Sequence, residues 1–328
     1  MATIRDVAKH AGVAISTVSR VLNDSGYVSE ETREKIEYAM KELNYVPNEL
    51  ARNMFRKKSG IIAMIISDIK HTYFAALASY MEKELQARGY KLMLCSTDDK
   101  LEIEKEYFNF FRTNIIDGVI SAVCGLDEQV YIEFVEKGKP IIMLDHALEG
   151  IPVVISDNIQ FGEIAAEVFI KNNCKNVLQI TAENHEVLAL TEMRFDVLRE
   201  ILEDEGIKTT LRRVDWNNFG YDEYYQLATE LLQADGHPDG IMTAEVGATA
   251  FLNAAIKLGV KVPEEFAIVA MDGTFASKMS IISMTTIVQD MSEIARRSVE
   301  AIMQMLDGRK PETLATYIPV TLREGETA

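Results

Sequence analysis

Two rhythms of apolar and polar positions divide the chain. Up to Leu43 the apolar residues recur at helical spacing: Val7, Ala8 and Ala11 share one face, Gly12 interrupts, and Val18, Val21 and Leu22 form the stripe of Ser16–Asn23. Thr3 followed three positions later by Asp6 predicts a capping box, in which the hydroxyl accepts an orphan backbone N–H and the carboxylate reaches back. After the polar turn Asn23–Gly26, Ser29 stands where it can cap a third helix whose Ile36, Ala39, Met40 and Leu43 face inward. Two short helices joined at a glycine, with a third completing a small core, make a helix-turn-helix candidate.

From Ile61 onward the period changes. Short apolar runs at Ile61–Ile66, Lys91–Cys95, Val119–Val123, Ile141–Asp145 and Val153–Ser156 alternate with amphipathic stretches such as Phe74–Arg88. The alternation continues through Val177–Ile180, Leu211–Val214, Gly240–Thr243 and Ile268–Met271, giving two halves of similar βα content. Parallel sheets covered by helices on both faces follow from such a pattern. Between head and body lies Val46–Lys58, opened by Pro47 and closed by Arg56, Lys57 and Lys58. It has helical potential over Glu49–Met54, but so short a helix is marginal alone in water and needs outside contacts.

Charge sharpens this division. Residues 1–58 hold ten Lys and Arg against eight Asp and Glu, net +2, which leaves 24 against 43, net −19, for residues 59–328. An acidic body repels phosphate, so any nucleic-acid contact falls to the leading segment. At 48% apolar and 26% charged residues the chain is globular rather than disordered, and 328 residues correspond to about two domains at roughly 150 each. No apolar stretch approaches the ~18 to 20 residues that span a bilayer. Arg5, Asp6 and Lys9 stand where a signal peptide would be apolar, so the expected location is the cytoplasm. Cys95, Cys124 and Cys174 have neither disulfide nor zinc spacing and read as small core residues.

Catalytic signatures are lacking: there is no G-x-S-x-G elbow, P-loop or G-x-G-x-x-G, and His185-Glu186 has no second histidine four positions after the first. The expectation is a protein that is not an enzyme, with no catalytic residue, metal or cofactor. The sharper signal is Val13–Arg20, which would turn Ile15, Ser16 and Arg20 outward toward a major groove, where arginine can meet guanine O6 and N7. A solvated surface helix is the alternative that periodicity leaves open.

The wording of the sequence narrows the choice. Thr3-Ile4-x-Asp6-Val7-Ala8, Gly12-Val13, Thr17-Val18-Ser19-Arg20-Val21-x-Asn23, Val28-Ser29-x-x-Thr32-Arg33, Leu43-x-Tyr45-x-Pro47-Asn48 and Ala51-Arg52 resemble the LacI/GalR family of bacterial transcriptional regulators. The resemblance continues through Asp117-Gly118, Asp157-Asn158-x-x-x-x-Gly162, Gly259-x-x-Val262-Pro263, Asp272-Gly273-Thr274 and Thr285-Thr286-Ile287-x-Gln289; Ser156-Asp157-Asn158, with Asp272-Gly273-Thr274 and Ile318-Pro319-Val320, resembles sugar operon repressors of the sucrose type.

What the resemblance implies is an all-α helix-turn-helix head at residues 1–46, a hinge-helix linker at 47–59 and a core at 60–328. The implied core has two doubly wound parallel-sheet lobes like those of periplasmic binding proteins: about 60–158 with 290–317, and about 159–289 with 318–328. It implies a homodimer on a palindromic double-stranded DNA operator, with no membrane contact, controlled by a sugar or sugar phosphate between the lobes. Thr3, Ser19 and Asn23 would position phosphates; Ile15, Ser16 and Arg20 would read bases, with Thr17 on the same DNA-contacting stretch. Leu50, Ala51 and Met54 would enter the minor groove, Met54 as the wedge where relatives have leucine. The effector residues would be Tyr73, Phe74, Asp145, Asp157, Arg194, Trp216, Glu245 and Asp272.

Departures from the pattern are Ala14 in place of the usual capping serine, Val197 in place of glycine after Arg194, and Trp216 one residue out of register with Gly220. Two other functions share parts of this resemblance: a catabolite-control regulator with a phosphoprotein co-repressor, and a solute-binding transport protein.

Overall fold

The structure, a computed structural model, describes residues 2–23, 25–46, 58–183, 189–216 and 218–328. The expected minor-groove residues Leu50, Ala51 and Met54 lie outside the described residues, as do His185 and Glu186. The chain separates into two units, Met1–Gly60 and Ile61–Ala328.

The first unit has helices α1 (Ile4–Ala11), α2 (Ile15–Asn23) and α3 (Glu30–Glu42). The capping box forms as its spacing predicts: the Asp6 N–H donates to Thr3 Oγ1 at 3.4 Å, and the Thr3 N–H donates to Asp6 Oδ2 at 2.8 Å. Gly12 ends α1 in the left-handed region at φ 68°, where a side chain would be strained, and so lets α2 turn away. Ser29 occupies the cap of α3 without capping it; its hydroxyl pairs with Thr32 Oγ1 at 2.9 Å instead of a backbone N–H. Val7, Ala8, Val18, Val21, Ile36 and Ala39 close the shared core.

In the second unit, the first sheet contains β1 (Ile61–Ile66), β2 (Lys91–Ser96), β3 (Gly118–Ser121), β4 (Ile141–Leu144), β5 (Val153–Ser156) and β11 (Ala315–Ile318). The second contains β6 (Asn176–Ala182), β7 (Lys208–Val214), β8 (Gly240–Ala244), β9 (Ala267–Asp272), β10 (Thr285–Gln289) and β12 (Val320–Arg323). Their orders, β11-β5-β4-β3-β1-β2 and β12-β10-β9-β8-β6-β7, are the same topology used twice. All neighbours run parallel except β10 with β12. The chain passes between sheets three times, at Ser156–Asn158, Gln289–Met291 and Ile318–Val320.

Burial explains the sequence pattern. β1, with helices on both faces, is apolar at every position, whereas edge strand β7 alternates and begins with the polar Lys208-Thr209-Thr210, three residues before the apolar run that announces it. Helices α4 (Thr72–Gln86) and α11 (Met291–Leu306) pack on one face of the first sheet through Leu77, Met81, Ile294 and Ile302. On its other face lie α5 (Leu101–Arg112) and α6 (Glu128–Glu136), through Phe108, Phe111, Tyr131 and Phe134. The second sheet is covered by α7 (Asn158–Lys171) and α8 (Ala189–Asp204) on one face, and by α9 (Tyr221–Leu232) and α10 (Glu245–Leu258) on the other. Among the described residues no helix is long and apolar enough to cross a membrane. Cys95 and Cys174 are buried as expected; Cys124 is a correction, since it is only half-buried and lines a cleft, at the open end of β3 where the sheet no longer covers it.

Candidate functional site

In the first unit the burial of α2 is one-sided. Val18 and Val21 go into the core while Ile15, Ser16 and Arg20 are exposed, Ile15 retaining 45% of its surface. An exposed isoleucine beside a serine and an arginine on one helix face offers a methyl contact, a hydroxyl and a guanidinium fork, the set a major groove can use. Thr17 and Ser19 are half-buried; Asn23 Nδ2 donates to Ser19 Oγ at 3.2 Å, and Thr3 is exposed at the start of α1.

In the second unit a cleft of about 630 Å³ opens beyond the carboxyl ends of the strands and draws residues from both sheets. Two equivalent strands deliver two of its carboxylates. Asp145 follows β4 and Asp272 ends β9, the same place in each sheet, and both take positive φ, 63° and 91°. Such backbone costs of order 1 kcal/mol or more for a residue with a Cβ and collects at functional sites. Gly273 follows with φ 74°, and a Cβ there would lie 2.7 Å from Val288, so this turn needs glycine twice over.

Arg194, on α8, is 6% exposed. Its Nε donates to Asn158 Oδ1 at 2.8 Å, Asn158 Nδ2 donates to the Leu190 carbonyl at 2.8 Å, and its guanidinium lies 4.7 Å from the centre of the Phe161 ring. The motif Asp157-Asn158-x-x-x-x-Gly162 thereby gains a physical meaning. Asp157 caps α7 by accepting from the Gln160 N–H at 3.0 Å, Asn158 orients the guanidinium, and Gly162 lets α8 approach closely.

Burial pushes the Asp272 carboxyl above its ordinary range; Arg194 and the 2.6 Å bond from Gln289 Nε2 oppose this, and Asp145 adds to it. Asp145 is likewise raised by burial, with Arg194 and His146 pulling the other way. One guanidinium therefore serves two carboxylates. Burial, with both carboxylates adding to it, raises the Tyr73 phenol well above its usual value, which keeps it a neutral hydroxyl. Burial lowers His71, against the pull of Asp68 and Asp99, so a neutral imidazole lies 4.8 Å from the Trp216 ring across the cleft. Trp216 Nε1 is buried and has no hydrogen-bond partner among the described residues.

Six of the expected effector residues, Tyr73, Phe74, Asp145, Arg194, Trp216 and Asp272, line the cleft together. Asp157 and Glu245 do not line it. Asp157 is occupied at its helix cap, and Glu245 is 1% exposed at the start of α10, accepting the Thr274 hydroxyl and the Ser277 N–H at 3.3 Å. Sequence reasoning missed His71, Asn158 and Gln289. Asn158 and Gln289 stood inside quoted motifs without a role; His71 had no local signal at all, because its partner Trp216 is distant in the chain.

An aromatic plate, a guanidinium and acceptor carboxylates can satisfy a ring carrying hydroxyls. Among the described residues no group of three or more His, Cys, Asp or Glu is placed to hold a metal.

Comparison with known proteins agrees with both units. The profile of bacterial regulatory proteins of the lacI family matches residues 3–48, and that of a periplasmic binding protein-like domain matches residues 166–328. The ribose operon repressor of Halalkalibacterium halodurans is 33% identical over 100% of this chain and 97% of its own length. The sucrose operon repressor of Streptococcus mutans is 31% identical over 100% and 99%. The solved lac repressor dimer bound to operator and the anti-inducer ONPF superposes with a TM-score of 0.86 at 24% identity, covering 99% of this chain and 98% of that one, a likeness of fold.

Proposed function

Because the chain belongs to the lacI family of bacterial regulatory proteins, we propose that it is a repressor of a carbohydrate-utilisation operon, working by binding rather than catalysis in the cytoplasm. The head, residues 1–46, docks on a palindromic operator as one half of a homodimer. Thr3, Ser19 and Asn23 position it on phosphates, and Ile15, Ser16, Thr17 and Arg20 face the bases. Residues 47–59 link the head to the core and carry the minor-groove contacts Leu50, Ala51 and Met54. The core, residues 60–328, holds a small sugar or sugar phosphate between its two lobes, with Tyr73, Phe74, Asp145, Arg194, Trp216 and Asp272 as its contacts. Asp157 and Glu245 act behind that layer, as a helix cap and as an anchor of the Asp272–Thr274 turn.

The observation that carries this reading is the cleft itself: matched strands of two like sheets each bring a carboxylate to a cavity that one buried arginine also lines. A ligand touching both lobes fixes their relative orientation, and residues 47–59, which join the core to the head, pass that orientation on. A gel-shift series with twofold-symmetric duplexes tests the proposal. Retention of one duplex, altered by a sugar, is expected; indifference to every duplex at any sugar concentration contradicts it.

A further inference from the structure

We infer that the cleft accepts an uncharged polyhydroxy compound and excludes the same compound once it carries a phosphate or carboxylate. The inference rests on the effector reading of the cleft given above. Three carboxyl groups lie in its depth, on Asp145, Asp272 and Glu104, and four more stand around its mouth, on Asp98, Asp99, Glu183 and Asp215. Against them, among the described residues, the lining has two permanent cations, Lys100 and Arg194. Lys100 Nζ is paired with Asp98 at 2.5 Å, and the charge of Arg194 already acts on both Asp145 and Asp272. The N-termini of α4 and α5 also open here, and two helix ends add about one positive charge together. Glu104, buried in the first turn of α5, meets one of those ends from within the protein.

Hydrogen-bond chemistry points the same way as charge. An ionised carboxylate only accepts, and so do the oxygens of a phosphate dianion, so a phosphate placed beside Asp145 or Asp272 meets a group that cannot donate to it. A sugar hydroxyl donates to Asp145 or Asp272 and, through its lone pairs, accepts from Arg194. The field beyond the cleft reinforces the preference, since residues 59–328 carry a net charge of −19.

The test uses the full chain and matched pairs: ribose with ribose 5-phosphate, fructose with fructose 6-phosphate, sucrose with sucrose 6-phosphate. Binding is read by Trp216 fluorescence, the only tryptophan in the chain, and by thermal shift. In the pair that contains the ligand, the neutral sugar should bind about 100-fold or more tightly than its phosphate at low salt, and the ratio should shrink as salt screens the cleft. Asp98→Asn, which releases Lys100, should narrow the ratio by roughly tenfold. A phosphate that binds as tightly as its parent sugar, or more tightly, overturns the inference while leaving the effector reading intact. If no member of any pair binds, the effector reading fails and the inference falls with it.

Discussion

Gly162 separates positioning from contact, because it touches the arginine's helix but does not line the cleft. A Cβ added there would sit 2.7 Å from the Arg194 carbonyl oxygen, 2.7 Å from Val197 Cβ and 2.9 Å from Val197 Cγ1. Non-bonded carbon atoms rest at about 3.5–4.0 Å, so in Gly162→Ala helix α8 must retreat by about 1 Å. Overpacking of this kind costs about 1–3 kcal/mol, offset by up to about 1 kcal/mol of improved helix propensity in α7. The net loss of about 1–2 kcal/mol should lower the melting temperature of the core by a few degrees, roughly 2–4 °C per kcal/mol. The same retreat stretches the 2.8 Å bond from Arg194 to Asn158. A charge-assisted bond contributes about 1.5–3 kcal/mol, so ligand affinity should fall by about 10- to 100-fold although no ligand contact is removed. Calorimetric melting and a Trp216 fluorescence titration read the two effects. A variant that melts lower yet binds its ligand as before would refute the claim that the seating of Arg194 sets affinity.

Other substitutions probe separate links. Arg194→Ala should weaken ligand binding by about 100-fold or more, because it removes the fork and leaves two carboxylates uncompensated, while ligand-free operator binding in a gel shift stays unchanged. Asp272→Asn should stabilise the empty protein and abolish the ligand response. Since burial raises this carboxyl above 3.8, its ionised form opposes folding, so its stabilising contribution is present at low pH and lost as pH rises through the elevated value. The melting-temperature advantage of Asp272→Asn should therefore grow from pH 4 upward, and an advantage that shrinks with pH would contradict the sign. At the head, Ala14 already accepts the Thr17 and Val18 N–H groups through its carbonyl, the position of a helix cap without the capping hydroxyl. Ala14→Ser should add about 1 kcal/mol of local stability. Hydrogen exchange of α2 amides in the full chain would show it as slowing, and unchanged exchange would remove the idea.

What the sequence made legible was local. Thr3 and Asp6 lie within one turn, so their spacing is their geometry, and the apolar stripes of α1 to α3 fix the head core directly. The buried strands could be read because parallel strands covered on both faces are apolar throughout, and β7 was clipped because an edge strand is not. Strand order is a property of pairings between distant segments, which hydrophobic rhythm does not encode, and the duplicated order appears only in the folded chain. The same limit governs the cleft. Asp145 and Asp272 follow legible strands, whereas the His71–Trp216 contact joins residues from different lobes. Asp157 and Asn158 show the reverse: a motif can be read correctly as important while the division of labour inside it, cap against clamp, depends on which way each side chain turns.

The central claim is a coupling between cleft and operator, and coupling is reciprocal. The decisive measurement is the affinity of the full-length protein for its sugar, by Trp216 fluorescence, with and without saturating operator duplex. It is set beside the affinity for that duplex with and without saturating sugar. The account predicts the same factor in both, different from one, and its loss in Arg194→Ala; a sugar affinity indifferent to the operator would contradict it.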